Sequence, residues 1–373
     1  MVPVFVAADN ITSPIGLTTA ENFQRVSKGI SGIKLHNDKA IADKPFQSSL
    51  FEPDQFKTNS TYTKFEQLLI ASIKDALANC SIDPTNKKTG LIISTTKGNI
   101  SLLETEENTD ALKKRIALPT SAKLVADNFG FVDQPIIISN ACISGIMAVL
   151  TGMRLINSGQ YENVVIAGAD VITKFVLSGF QSFQAISAKP CKPFDADRTG
   201  ITLGEGAATV ILTSNPAYAE NIKVLGGSVS NDANHISAPS RTGEELAFAI
   251  KKTLQQAGLS ANEVDFISAH GTATSYNDEM EAKAITLADL QNVPTNSLKG
   301  YYGHTLGAAG LIESIISTRS LKEGVVLPTL GFTTMGVSAP LNICTDLLPG
   351  NYKTFLKTAS GFGGCNAAVL FSK

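Results

Sequence analysis

Three residues in this chain have the types and neighbours for nucleophilic and proton-donating chemistry: Cys142, His270 and His304. Cys142 lies in PIIISNACISGIMAVL, where a β-branched run passes at once into a helical pattern. On residue type alone a free cysteine is small core filler. At a helix N-terminus, however, unpaired N–H groups and the dipole favour thiolate, and Ala141, Ser144 and Gly145 leave room for a substrate. A strand-to-helix turn also suits a nucleophile elbow, and no GxSxG competes for that role. His270 ends an apolar run and opens the loop HGTATSYND, where an α/β sheet presents catalytic groups. His304 sits among Gly303, Gly307, Ala308, Ala309 and Gly310, five residues after Lys299, at a helix start almost free of bulk. Close packing accounts for the small residues but not for a histidine among them. His36 and His235 stand in polar, loop-like contexts and receive no role.

These side chains need elements to hold them. Strand-like runs span Val4–Ala8, Leu91–Ser94, Pro135–Ser139, Asn163–Ala167, Ala207–Leu212, Val264–Ala269 and Ala367–Phe371. Helical spacing covers Lys64–Asn79, Ile143–Ser158, Glu244–Ala257, Asp278–Asp289 and Gly307–Glu323. Their alternation predicts an α/β fold with buried, mostly parallel strands. The polar segment Thr213–Ile222 marks a seam between halves 1–214 and 215–373. A faint repeat agrees: CISGIMAVLTGMRLINSG aligns with GAAGLIESIISTRSLKEG, pairing Gly145 with Gly310, Arg154 with Arg319 and Gly159 with Gly324. Each segment reads as a long apolar helix closed by a glycine cap.

Composition narrows the class. The 373 residues are 43% hydrophobic and 17% charged, enough for a large core without disulfide or metal staples. Balanced charge, 31 basic against 33 acidic side chains, argues against a duplex nucleic-acid binder. Five scattered cysteines with no CxxC argue against a disulfide framework or zinc ribbon. No run reaches 18 apolar residues, and the N-terminal MVPVFVAADN lacks a basic region, so a cytoplasmic protein with no membrane span is expected.

The motifs together resemble β-ketoacyl-acyl-carrier-protein synthases, condensing enzymes of the thiolase superfamily. They run nearly end to end: NACISG, PFDADRTGITLGEGAATVIL, AHGTATSYND, KGYYGHTLGAAG and GFGGCNA. The set Cys142–His270–His304 resembles the elongating type, since the initiating type carries Asn in place of one histidine. The resemblance implies two similar halves in a five-layered αβαβα fold and a homodimer, or a heterodimer with a related subunit. It implies that Cys142 takes the acyl group, that the backbone N–H groups of Cys142 and Phe362 form the oxyanion hole, and that Phe362 gates the site. His270 and His304 would donate to the enolate oxygen, Lys299 with Glu281 would orient them, and Thr272 and Thr274 would bind pantetheine. No metal or bound cofactor is implied, because acyl and malonyl groups arrive on the phosphopantetheine of acyl carrier protein. Lys64 and Lys113–Lys114–Arg115 are weak candidates for docking that acidic carrier, and Cys365 is a less favoured second thiol. Departures are the short chain, Ala273 within HGTxT, and Lys97 and Asn99 in STTKGNISLLE, near the expected acyl pocket. The alternatives are a non-catalytic chain-length partner, disfavoured by Cys142, and a thiolase-like acyl-CoA enzyme, disfavoured by His304 and the GFGG loop.

Overall fold

The computed structural model describes residues 2–52, 55–56, 61–233 and 239–373, so His235 lies outside the described residues. Its centre is a ten-stranded sheet. In chain order the strands are β1 (Phe5–Thr12), β2 (Thr89–Ser94), β3 (Ile136–Ile138), β4 (Asn163–Asp170), β5 (Gly206–Thr213), β6 (Lys223–Asn231), β7 (Phe266–Ser268), β8 (Thr295–Asn296), β9 (Thr354–Gly361) and β10 (Cys365–Ser372). Their spatial order is β8-β7-β9-β10-β6-β1-β5-β4-β2-β3. Read outward from the β6–β1 junction, each half has the same arrangement: β1-β5-β4-β2-β3 on one side and β6-β10-β9-β7-β8 on the other. Directions repeat as well. In each half the outer two pairings are parallel and the inner two antiparallel. The expectation of mostly parallel strands is therefore corrected. With the antiparallel β1–β6 junction, five of nine pairings are antiparallel, and uniform apolar runs cannot reveal direction when both sheet faces are buried.

The helices that matter here are α1 (Lys64–Ala78), α2 (Leu118–Phe129), α3 (Ser144–Asn157), α4 (Lys174–Ser182), α5 (Glu244–Ala257), α6 (Ser275–Leu287) and α7 (Ala309–Glu323). Strand alternation sorts side chains into layers. Leu91, Ile93, Val165 and Ala167 face out onto α1 and α2, whereas Ile92, Val164 and Ile166 face in. On the other side Ala368 and Leu370 meet α5 and α6, while Ala367, Val369 and Phe371 point to the centre. Helices α3 and α7 fill that centre, giving five layers, αβαβα. Nearly every residue of α7 is buried, as a helix sandwiched on all sides must be.

The repeated glycines mark where α3 and α7 cross. A β-carbon on Gly145 would stand 2.9 Å from the Leu311 backbone nitrogen, and one on Gly310 would stand 3.0 Å from that of Ile146. Backbones this close admit no side chain between them. Helix α6 begins at Ser275 instead of the expected Asp278, because the Thr274 hydroxyl accepts the Asn277 N–H as an N-cap.

Candidate active site

A cavity of about 490 Å³ is lined by Cys142, His270, His304, Thr272, Thr274 and Phe362, among others, so residues scattered across 221 positions converge on one space. Cys142 enters from one half on a tight elbow. Ala141 has φ +44°, and the Ser144 hydroxyl braces the turn by accepting the Asn140 N–H at 2.8 Å and donating to the Ala141 carbonyl at 2.6 Å. Across from it runs the loop after β9. A β-carbon on Gly361 would lie 2.9 Å from the Cys142 nitrogen, so only glycine lets that loop approach the nucleophile.

The thiol is not the activated thiolate that its place before α3 favours. Burial pushes Cys142 up to about 12, with nearby Cys365 adding to the rise and Lys299 opposing it. The dipole loses to dehydration at rest. Cys365 is itself buried and pushed up to about 11, and it sits against the same Gly361 position, so it forms part of the wall behind the nucleophile.

The histidines come from the other half. His270 follows β7, and the Glu281 carboxylate on α6 accepts the backbone N–H groups of His270 at 2.8 Å and Gly271 at 2.7 Å. His304 is held through its backbone, which donates to Thr202 O and accepts from Gly204 N–H. One donor atom each from Cys142, His270 and His304 lies within 4.8 Å of the others, and the rings meet edge to face with centroids 5.2 Å apart. Among the described residues this is the one cluster of three such side chains spaced to share a metal ion, but Lys299 brings positive charge against it.

Hydrogen bonding assigns the protons. His304 Nδ1 accepts the Leu306 N–H at 3.1 Å, so the neutral ring carries its proton on Nε2, a buried atom with no partner. Lys299 Nζ stands 3.3 Å from His270 Nδ1 and donates to it, which likewise leaves Nε2 of His270 as the donor. Burial, followed by Lys299, lowers both imidazoles well below the ordinary histidine range. Two neutral N–H donors therefore face a buried thiol.

Lys299 and Glu281 act on His270 from separate places. Lys299 pairs with Glu313 on α7 at 2.6 Å, and the other oxygen of Glu313 takes Lys357 from β9 at 2.7 Å. Glu281 instead grips the backbone around His270 and accepts the Thr358 hydroxyl. Glu313 and Lys357 were missed by sequence reasoning; the available signal was one carboxylate inside the apolar run GLIESIIS. Asp170 was missed too. Its buried carboxylate accepts from Thr95, Thr96, Lys97 and Gly307, tying the loop after β2 to the start of α7.

The remaining candidates divide. Thr272 and Thr274 hydroxyls lie 2.9 Å apart on the cavity wall. Phe362 is 39% exposed and packs on Phe180 and Phe183, at 5.7 and 5.2 Å, forming an aromatic rim. The docking candidates fare differently. Lys64 pairs with buried Glu205, and Arg115 clasps buried Glu66 through two 2.6 Å bonds. Both stay partly exposed while their charge is spent on a buried carboxylate. Asn99 joins the second network through Glu66 and Ser121, so it braces the loop.

Known proteins resemble this chain in sequence and fold. Residues 1–217 match the family model described as "Beta-ketoacyl synthase, N-terminal domain", and residues 222–333 match "Beta-ketoacyl synthase, C-terminal domain". The 3-oxoacyl-[acyl-carrier-protein] synthase 2 of Vibrio cholerae is 28% identical over 410 residues, covering 99% of each chain. The synthase of that name from Mycobacterium leprae is 33% identical over 247 residues, 62% of this chain and 59% of that one. The solved structure named "The ishigamide ketosynthase/chain length factor" superposes with a TM-score of 0.89 at 25% identity, covering 100% of this chain and 99% of that one. With both of its halves matched and a thiolase-like fold around the Cys–His–His cavity, this chain belongs to the β-ketoacyl synthase family.

Proposed function

We propose that the chain is a 3-oxoacyl-[acyl-carrier-protein] synthase that lengthens an acyl chain by two carbons. The observation that carries this reading is the pair of neutral imidazoles, each with Nδ1 occupied, whose Nε2 protons are left for an oxygen beside Cys142. Cys142 attacks the thioester of an acyl-carrier protein, forming a new C–S bond as the phosphopantetheine thiol leaves with a proton. Because burial keeps Cys142 protonated at rest, its proton departs only as the thioester enters. The tetrahedral oxyanion sits between the backbone N–H groups of Cys142 and Phe362, whose loops meet at Gly361.

Malonyl-carrier protein then binds. Its C–C bond breaks, CO₂ departs, and the electron pair moves onto the thioester oxygen as an enolate. His270 and His304 donate to that oxygen, which needs neutral rings. The enolate carbon attacks the acyl carbonyl, the C–S bond to Cys142 breaks, the released thiolate takes up a proton from solvent, and 3-oxoacyl-carrier protein leaves. Thr272 and Thr274 hold the pantetheine arm, and Phe362 moves against Phe180 and Phe183 as the gate. Substrates arrive on the carrier's phosphopantetheine, so the enzyme needs no cofactor or metal of its own. The halves 1–214 and 215–373 supply nucleophile and histidines respectively. An edge strand, β3, leaves three half-buried isoleucines for pairing with a second copy or a related subunit. Among the described residues no helix is long and apolar enough to cross a membrane. A place in the cytoplasm fits that finding.

Intact-protein mass spectrometry with a panel of acyl-carrier proteins tests the reading. One acyl adduct is expected, lost in Cys142→Ala, and the panel ranks chain length. An adduct on Cys365, or none from any donor, overturns it. Retention of Cys142 with both histidines speaks against a non-catalytic chain-length partner.

A further inference from the structure

Lys357 is a fully buried lysine on β9, outside every motif that pointed to the site. Its ammonium lies 2.7 Å from Glu313 Oε2 and donates to the carbonyls of Ser268 at 3.1 Å, Ala269 at 3.2 Å and Thr358 at 2.8 Å. Four acceptors around one nitrogen suit the three N–H donors of an ammonium; burial lowers this lysine from its ordinary range, and Glu313 opposes that fall. Two of those carbonyls belong to the residues just before His270. The Glu313 carboxylate is shared: its Oε1 holds Lys299, which in turn holds His270 Nδ1. Lys357 therefore reaches His270 by two routes, through the backbone that carries it and through the carboxylate that anchors its partner.

It also sets the charge of the cluster. The charged and titratable groups facing the two imidazoles are Lys299, Lys357, Glu313 and Glu281 from their own half, with Cys142 opposite and Asp170 reached through Gly307. Two ammonium groups balance two carboxylates around His270. Without Lys357 that balance becomes one net negative charge in a dry site, where unscreened charge acts strongly. Burial, Lys299 and Lys357 all act on both rings in one direction, against their protonation.

We propose that Lys357 is a positioning residue for the condensation: it fixes Glu313 and the carbonyls that aim His270, and it balances the buried charge so that both imidazoles stay neutral donors. This rests on the synthase reading. Lys357 touches neither substrate nor the reacting atoms; it acts through His270 and Lys299.

The test is the pH profile of malonyl-carrier decarboxylation for the full chain and for Lys357→Gln, Lys357→Met and Lys357→Arg, each checked by thermal melting. In the Gln and Met variants the acid limb should move up by about one pH unit or more, as an added negative charge favours imidazolium. The Arg variant, which keeps the charge, should hold the limb near that of the parent. Glu313→Gln should move the limb the opposite way, because it leaves a positive excess. A uniform loss at all pH values in the Gln and Met variants, with the limb unmoved, would reduce Lys357 to a structural residue and overturn the proposal. Failure of both to fold would do the same. Absence of an acyl adduct on Cys142 in the parent would sink the synthase reading instead, so the two failures are distinct.

Discussion

The two halves share one strand plan yet surround their functional groups differently. In the first half the nucleophile stands at the start of α3, and the nearby buried carboxylate, Asp170, is satisfied by backbone N–H groups and hydroxyls. In the second half the strand-end loop carries His270, and its surroundings hold two buried lysines and two buried carboxylates. One half keeps its reactive group uncharged by dehydration. The other keeps its donors uncharged by dehydration first, with the charge of Lys299 and Lys357 acting in the same direction. A duplicated framework has thus placed a thiol and two imidazoles face to face, all neutral at rest through dehydration, with flanking lysines reinforcing it at the histidines.

The largest expected effect separates these devices. If dehydration governs Cys142, its thiolate fraction at neutral pH is about a thousandfold below that of an ordinary thiol. Iodoacetamide alkylation of Cys142 should then be slow and rise about tenfold per pH unit without a plateau below pH ~10. A plateau near neutrality would show that the helix terminus wins after all. Next, His270→Ala should keep acylation but lose decarboxylation by about 10²–10³-fold, the worth of one preorganised donor. Unchanged decarboxylation would remove His270 from its role, and lost acylation would mean the halves do not divide the labour. The smallest effect tests the shared framework. Gly145→Ala and Gly310→Ala should each cost about 1–3 kcal/mol by forcing α3 and α7 apart, seen as matched falls in melting temperature. A tolerated change at one position and not the other would break the equivalence of the crossing.

Much of this site was legible because its chemistry is local in sequence. Cys142, His270 and His304 each sit beside small residues, and packing accounts for those neighbours but not for the reactive side chains among them. Glu313 and Lys357 were not legible. They meet Lys299 only through tertiary folding, and Lys357 lies 58 residues along the chain from its fellow lysine, in a strand whose alternation reads as ordinary. Glu281, offered by its motif, does support His270, but through the backbone, and the lysine is left to another carboxylate. Among strands, β6 escaped notice because Gly226 and Gly227 dilute its pattern. Gly227 is required there, as its β-carbon would stand 2.7 Å from the Ala368 carbonyl oxygen.

The junction between the halves has a consequence for how the chain must be made. Strands β1 and β6 are joined in the sheet register by one residue pair, Phe5 with Lys223, with three backbone hydrogen bonds linking Val4 and Val6 to Glu220, Ile222 and Val224 beside it, a short seam to hold two halves of this size together. The central cluster does that work, and it draws α3 from one half and α7 from the other. A first half emerging alone from the ribosome would carry α3 with its inner face bare. It has no finished state of its own to reach until about a hundred further residues have followed. Synthesis therefore exposes a sticky helix for several seconds, and the yield of active enzyme should depend on chaperones shielding that face more than on the stability of the completed fold.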